Sequence, residues 1–318
     1  MVHNKEMNVV YSFPLFIARK VRINTQTKMG IMEVKMNMSY VNSSTGILKR
    51  VLLCPPTYLQ LKPINKIASD WLDKGEVIDQ EKSLSEHMEL ISIYESNGIE
   101  VEILDATIDL TSQVFARDFG FTIKEGFVLG RFKEEVRRPE SLRYAAKLKE
   151  LGVPIIANCT EGIMEGGDFW QLDEHTLAIG TLQRTDEEGI ENIRQQLEPL
   201  GYKIISVKSK PKYLHLDMIF NIVGEKTAVT YYDGLPDHFK AYLEEANYDL
   251  IKIEEVGVYK HFCNLQALGG KKVVSLSANK EVNAQLRDRG FEVIELHATE
   301  ILKTGGGPHC MTFPIERR

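Results

Sequence analysis

From Gly46 onward, short apolar runs alternate with amphipathic stretches. The run Ile47-Leu-Lys-Arg-Val-Leu-Leu-Cys54, stopped by Pro55-Pro56, predicts a strand over residues 47–54. Leu90, Ile91 and Ile93 predict a helix over 84–97 that Gly98 stops, and Ser83 with Glu86 has the spacing of a capping box at its start. A strand follows over 101–104, and 119–129 reads as two strands around Lys124-Glu125-Gly126. The next helix, 140–151, places Leu142, Ala145, Ala146 and Leu148 on one side, with Gly152 as its stop. The cycle then repeats. Strands are predicted over 153–157, 168–172 and 176–180, a helix over 187–200, and strands over 203–207, 218–223 and 227–231. A helix over 236–246, strands over 262–268 and 272–275, a helix over 281–289 and a strand over 291–296 complete the pattern, with a further strand expected in 310–315. No Ser/Gly/Pro-rich linker divides these units, so they predict a single α/β domain over residues 41–318. Alternation alone leaves a doubly wound sheet, a barrel and a propeller of small sheets open.

Residues 1–40 break the pattern. They are basic (Lys5, Arg19, Lys20, Arg22, Lys28, Lys35), and their one apolar block, Val9 to Ala18, contains Pro14 and is too short for a secretory leader. They are expected to form a poorly ordered extension. The net charge of -6 gives no electrostatic reason to expect nucleic acid or an anionic membrane as partner, and no apolar run is long enough to span a bilayer. Cys54, Cys159, Cys263 and Cys310 lie far apart with no CxxC pair, which suggests neither a zinc site nor a redox dithiol. Isolated thiols suit a reducing compartment, and a cytoplasmic location is expected.

Four polar segments stand out at expected strand ends: Phe115-Ala-Arg-Asp118, Glu165-Gly-Gly-Asp168, His215-Leu-Asp217 and Gly305-Gly-Gly-Pro-His-Cys310. Three glycines and a proline ahead of Cys310 let backbone approach a ligand and mark this cysteine as a candidate nucleophile. Cys54 reads as core, and Cys159 and Cys263 are undecided. His215 and Asp217, two apart, would share one face of a strand. Each segment has a plain alternative: a surface His–Asp pair, a turn at EGGD, an Asp118 that pairs with Arg117. Together, one cysteine, one histidine and up to four carboxylates suit a cationic substrate attacked by a thiolate. Guanidinium is planar, permanently charged and offers five donors that carboxylates can grip. A thiolate is the competent nucleophile, and the bound cation would favour it. There is no GxGxxG after a strand, no Walker loop and no HExxH, and a thiol mechanism needs no cofactor.

The ordered set FARD, EGGD, HLD and GGGPHC resembles the guanidino-group-modifying enzymes: arginine deiminase, dimethylarginine dimethylaminohydrolase and the amidinotransferases. The resemblance runs from about Gly46 to the C-terminus. It implies a five-bladed α/β propeller, the pentein fold, built of ββαβ units around a central site. It implies Cys310 as the nucleophile that forms an amidino-thioether and His215 as general acid and base. Glu165 and Asp118 would hold guanidinium nitrogens, with Asp217 as a third carboxylate and Asp168 supporting its loop. Arg184 and Arg137 resemble arginines that bind a substrate carboxylate; solvated surface charges are the alternative. Asn65 lies on a segment that covers the pocket in some relatives, though a turn asparagine reads equally well. The resemblance also implies that a subgroup taking arginine to ornithine has asparagine where this chain has Asp118, so the aspartate here resembles the single-step deiminases. The implied partner is a small guanidino compound, with self-association left open. An amidinotransferase, and a non-catalytic propeller like the translation initiation factor six family, are the other readings.

Overall fold

The computed structural model describes residues 40–318; residues 1–39, nearly all of the expected extension, lie outside the described residues. The first strand, β1 (Leu48–Leu53), leads through α1 (Lys66–Leu72) and α2 (Gln80–Ser96) to β2 (Glu100–Ile103), which runs parallel to it. The second unit is a hairpin of β3 (Gly120–Ile123) and β4 (Gly126–Leu129), then α3 (Arg138–Glu150) and β5 (Ile155–Asn158). β3 pairs antiparallel with β4 (Phe121 opposite Val128), and β5 pairs parallel with β4 (Asn158 opposite Leu129). The same ββαβ pattern recurs in β6 (Phe169–Gln171), β7 (Thr176–Thr181), α4 (Glu187–Leu197) and β8 (Lys203–Lys208), and again in β9 (Phe220–Gly224), β10 (Thr227–Thr230), α5 (Asp237–Glu245) and β11 (Asp249–Lys252). After the short α6 (Glu255–Val258), the last full unit is β12 (Gln266–Gly269), β13 (Lys272–Leu276), α7 (Lys280–Asp288) and β14 (Glu292–Leu296). β15 (Phe313–Arg317) pairs antiparallel with β1, so the two ends of the described chain share one blade and close the ring.

The core explains why the ring must close. Its five apolar clusters each sit between neighbouring blades. Val51 and Leu53 pack with Val274 and Leu276, Phe119 and Phe127 with Leu52 and Phe313, Phe121 and Val128 with Phe169 and Ile179, Ala178 with Phe220 and Ala228, and Val223 and Val229 with Val273 and Val282. No blade has a core of its own, so an open end would expose one apolar face to water. The first strands of the blades, such as β3 and β12, are buried at every residue, whereas β5 and β11 are largely exposed. Cys54, Cys159 and Cys263 belong to three of these clusters. Among the described residues no helix is long and apolar enough to cross a membrane.

Several expectations need correction. α2 starts four residues before the predicted position: Asp79, not Ser83, is its N-cap, accepting from the Lys82 N–H at 3.0 Å. Glu86 faces elsewhere and accepts backbone N–H groups from Thr299, Glu300 and Ile301, tethering α2 to a distant loop. α3 buries Ser141, Tyr144 and Leu148, whose i, i+3, i+7 spacing defines its face, and leaves Leu142 73% exposed. α1 and β11 were not predicted. β11 is an edge strand with a single buried residue, Ile251, so it carries no alternation to read. The strands expected over 168–172, 218–223, 262–268 and 310–315 each begin later than predicted, because their first residues are turns.

Candidate active site

Those turns build the site. With the turn before β3, one precedes the first strand of every blade, and the five together deliver Asp118 before β3, Glu165 before β6, His215 and Asp217 before β9, Asn264 before β12 and Cys310 before β15. His215 and Asp217 therefore do not share a strand face: they flank the start of a single 3-10 turn, Leu216–Met218, and reach different partners.

His215 Nε2 lies 2.9 Å from Glu165 Oε2, and its Nδ1 lies 3.8 Å from Asp118 Oδ1. Polar atoms of Asp118, Glu165 and His215 all fall within 4.8 Å of one another, and all three side chains are buried. The imidazole lies against Gly167, where a Cβ would stand 2.6 Å from Nδ1, so the second glycine of EGGD is required by close approach. Burial alone would lower the His215 pKa, but Asp118, the Glu165 hydrogen bond and Asp168 override it and raise it to about 9. Glu165 loses solvation too, yet Arg184, His215 and Arg137 hold its carboxyl down to about 2. The pair is an imidazolium and a carboxylate at neutral pH. Glu165 also accepts the Lys133 N–H at 3.0 Å. Asp168 does not reach the cavity; it accepts from the Thr185 hydroxyl (2.7 Å) and the Leu216 N–H (2.8 Å), joining the EGGD turn to the His215 turn.

Asp118 Oδ2 accepts from Arg137 Nη1 at 2.6 Å, and its Oδ1 has no hydrogen bond. It does not pair with Arg117. Arg137 is buried, and its Nε and Nη2 hydrogen bond to Glu140, so its donors are directed at carboxylates. Arg184 is also buried rather than a surface charge. It lies 3.4 Å from Glu165 Oε1 and donates to the Ile64 carbonyl at 2.5 Å. Asn65 is both a turn residue and a cover: its Oδ1 accepts the Ala68 N–H as N-cap of α1, and its Nδ2 donates to the Thr304 carbonyl at 2.9 Å. Gly305 lies beneath it with φ of +106°, where a Cβ would stand 2.9 Å from the amide.

Across the cavity, Cys310 Sγ lies 3.2 Å from Asp217 Oδ2 and accepts from Asn264 Nδ2 at 2.9 Å. Burial pushes the thiol well up, and Asp217 and Asp118 push it further. In this state it is a neutral thiol. Asp217 Oδ2 also meets His309 Nδ1 at 2.8 Å, and its Oδ1 has no partner. Asn264 and His309 were not singled out from sequence. Asn264 Oδ1 accepts three backbone N–H groups, from Gly307 (3.1 Å), His309 (3.0 Å) and Cys310 (3.3 Å). One amide thus anchors the glycine loop and hydrogen bonds its cysteine. Its only sequence signal is a polar residue inside the apolar run Cys263-Asn-Leu265. The cavity shared by Asp118, His215 and Cys310 holds about 20 Å³, roughly the space of one water.

Five ββαβ blades around a buried cysteine, histidine and carboxylate cluster define a pentein of the guanidino-group-modifying class. The profile of the eukaryotic N,N-dimethylarginine dimethylhydrolase family matches residues 56–317, and the chain belongs to that family. YkgA of Bacillus subtilis, an uncharacterized protein, is 33% identical over 274 residues, which cover 86% of this chain and 93% of that one. Arginine deiminase of Bacillus cytotoxicus is 28% identical over 251 residues, 64% of this chain and only 61% of the deiminase. Among solved structures, the N-terminal domain of ArgZ bound to product, an arginine dihydrolase from the ornithine–ammonia cycle in cyanobacteria, superposes with a TM-score of 0.75 at 21% identity, covering 84% of this chain and 97% of that one. The dimethylarginine dimethylaminohydrolase (DDAH) of Pseudomonas aeruginosa in complex with citrulline gives 0.71 at 19% identity, covering 84% of this chain and 99% of that one.

Proposed function

We propose that this protein hydrolyses the guanidinium group of arginine or an N-methylated arginine through a covalent amidino-thioether on Cys310, giving citrulline and ammonia or a methylamine. The observation that carries this reading is the convergence of Asp118, Glu165 and His215 within 4.8 Å of one another, with Asp118 and His215 lining a cavity they share with Cys310. Asp118 Oδ1 and Asp217 Oδ1 are buried acceptors with no protein donor, suited to guanidinium N–H groups. A guanidinium bound between them places a positive charge beside the thiol and lowers its pKa, so substrate binding is coupled to release of the thiol proton to solvent. Sγ then attacks the central carbon, and the departing amine takes a proton from the imidazolium of His215. The neutral imidazole next removes a proton from water, which attacks the thioether carbon. The tetrahedral adduct collapses with expulsion of the thiolate, its hydroxyl proton passes to the released amine or to solvent, and once citrulline leaves, the sulfur takes a proton from solvent, which restores the thiol and imidazolium.

Arg184 is the proposed anchor of the substrate α-carboxylate. Arg137 was expected as a second such anchor, and its bonds to Asp118 and Glu140 support a different role, orienting Asp118. Since a cavity of about 20 Å³ admits no arginine, the Asn65 segment and Thr304–Gly305 must separate during turnover.

The test is product analysis by mass spectrometry with arginine, monomethylarginine and asymmetric dimethylarginine, each with and without glycine or ornithine. Citrulline, absent from a Cys310→Ser control, supports the proposal and names the substrate. Transfer of the amidino group to the added amine overturns hydrolysis in favour of transfer. Failure of Cys310 to be labelled by a haloamidine, with no product, overturns catalysis and leaves a binding propeller.

A further inference from the structure

The propeller axis holds a second cavity of about 20 Å³, whose lining mixes apolar side chains with Arg117, Thr122, Trp170, Asn221, His309 and Arg317. Its two arginines are buried, and among the described residues no carboxylate oxygen lies within 4.0 Å of either guanidinium. Arg317 directs Nη1 and Nη2 to the carbonyls of Gly46 and Ala267, and Arg117 reaches Gln266 Oε1 at 3.3 Å, all neutral partners. Asp217 and, more weakly, Asp118 act on Arg117 from a distance, but Asp217 is engaged by His309 and Cys310 and Asp118 by Arg137. Burial lowers the Arg317 pKa to about 9 with repulsion from Arg117 as the next cause, and burial lowers Arg117 to about 10. Two like charges are therefore close together out of water, an arrangement that is costly without a counter-charge. Four side-chain atoms on this lining are buried with no protein partner: Arg117 Nε, Trp170 Nε1, Thr122 Oγ1 and Asn221 Oδ1. The first two are obligate donors and the third can donate.

We propose that this cavity is a site for a single halide-sized inorganic anion, held by the charges of Arg117 and Arg317 and by the Trp170 indole N–H and Thr122 hydroxyl. Its size admits one atom-sized guest and excludes sulfate or phosphate. Asn221 is not one of the anion's donors: its amide nitrogen is engaged by donation to the Leu265 carbonyl at 2.7 Å. The site is separate from the thiol cavity, with His309 between its arginines and Asp217.

Trp170 makes the proposal testable, because the chain has only two tryptophans, Trp71 and Trp170. In the full-length Trp71→Phe protein, emission reports Trp170 alone, and this indole is 3% exposed, too buried for collisional quenching. Bromide replaces gluconate at constant ionic strength. The expected result is saturable quenching of most of the Trp170 emission, displaced by chloride but not by sulfate, with thermal stability rising over the same concentration range. Diffraction from bromide-grown crystals at the bromine edge should give an anomalous peak between Arg117 and Arg317, which needs no cavity variant. Arg317→Gln should abolish the saturable component. Absent or linear quenching, together with no anomalous peak, overturns the proposal and leaves a water-filled cavity.

Discussion

Asn264 gives the sharpest test of how the nucleophile is held. Its Oδ1 accepts three backbone N–H groups of the cysteine loop, and its Nδ2 donates to Cys310 Sγ at 2.9 Å. Asn264→Ala orphans those groups. A buried donor without a partner costs about 1–3 kcal/mol, and water entering the space re-pairs some of them, so the loss should be roughly 3 kcal/mol, a large part of a typical stability of about 5–15 kcal/mol. Asn264→Asp keeps the acceptor and replaces the N–H₂ donor with an oxygen facing sulfur. The three N–H groups favour the ionised form of the new carboxylate, but its second oxygen would also face Asp217 Oδ2, to which Asn264 Nδ2 donates at 3.4 Å, so this variant should lose stability as well. A carboxylate at this range opposes a thiolate by several kcal/mol even at an effective dielectric of about 20. Iodoacetamide alkylation of Cys310 at pH 8 should therefore slow at least about 100-fold in Asn264→Asp, since each pKa unit is about 1.4 kcal/mol. Urea unfolding and labelling followed by mass spectrometry check the two arms. Parent stability in Asn264→Ala, or parent labelling in Asn264→Asp, would refute the assignment.

Cys310→Ser should abolish turnover with circular dichroism unchanged, and His215→Ala should lower kcat on the order of 100- to 10,000-fold; parent rates in either sink the mechanism. His215 is raised from 6.5 to about 9 in the fold. Its ion pair therefore stabilises fully below pH 6.5, and that stabilisation, up to about 3 kcal/mol, is lost as pH rises through 9. Unfolding free energies of parent and His215→Gln should converge above pH 9, and a constant gap would contradict the pairing. Gly167→Ala sets a Cβ 2.6 Å from His215 Nδ1, so the ring must leave Glu165 and kcat should fall at least about 100-fold; an unchanged kcat would show that the ring position is unimportant. Asn65→Ala removes both a helix cap, worth about 1 kcal/mol, and the latch to Thr304. Cys310 should then label faster at fixed pH, and parent-rate labelling would mean that this segment does not gate the cavity.

Helices were legible where an apolar stripe met a glycine stop, as in α4 with Gly201 and α2 with Gly98. Their starts were less so: Ser83 and Glu86 satisfy a capping box on paper, yet Glu86 serves a loop more than 200 residues away. β11 was illegible because an edge strand with one buried side chain needs no periodic pattern. Asp118, Glu165, His215, Asp217 and Cys310 were marked by polar and glycine-rich letters breaking apolar runs, and the structure sets Asp118, His215 and Cys310 around one cavity with Glu165 against His215 and Asp217 against Cys310. Asn264 broke its run by one letter only.

By itself, the sequence determined the alternation of strand and helix, the glycine-rich turns and the residue types that chemistry at a guanidinium requires. These are local properties, written in periodicity and in which residues tolerate close backbone approach. Only the tertiary structure decided that the five turns face one axis, that Arg137 and Arg184 are buried against carboxylates, and that Arg117 and Arg317 are not. Distance, desolvation and partner choice depend on residues up to about 270 positions apart, as Arg317 and Gly46 show. No local pattern encodes such pairings, because ring closure brings those residues together.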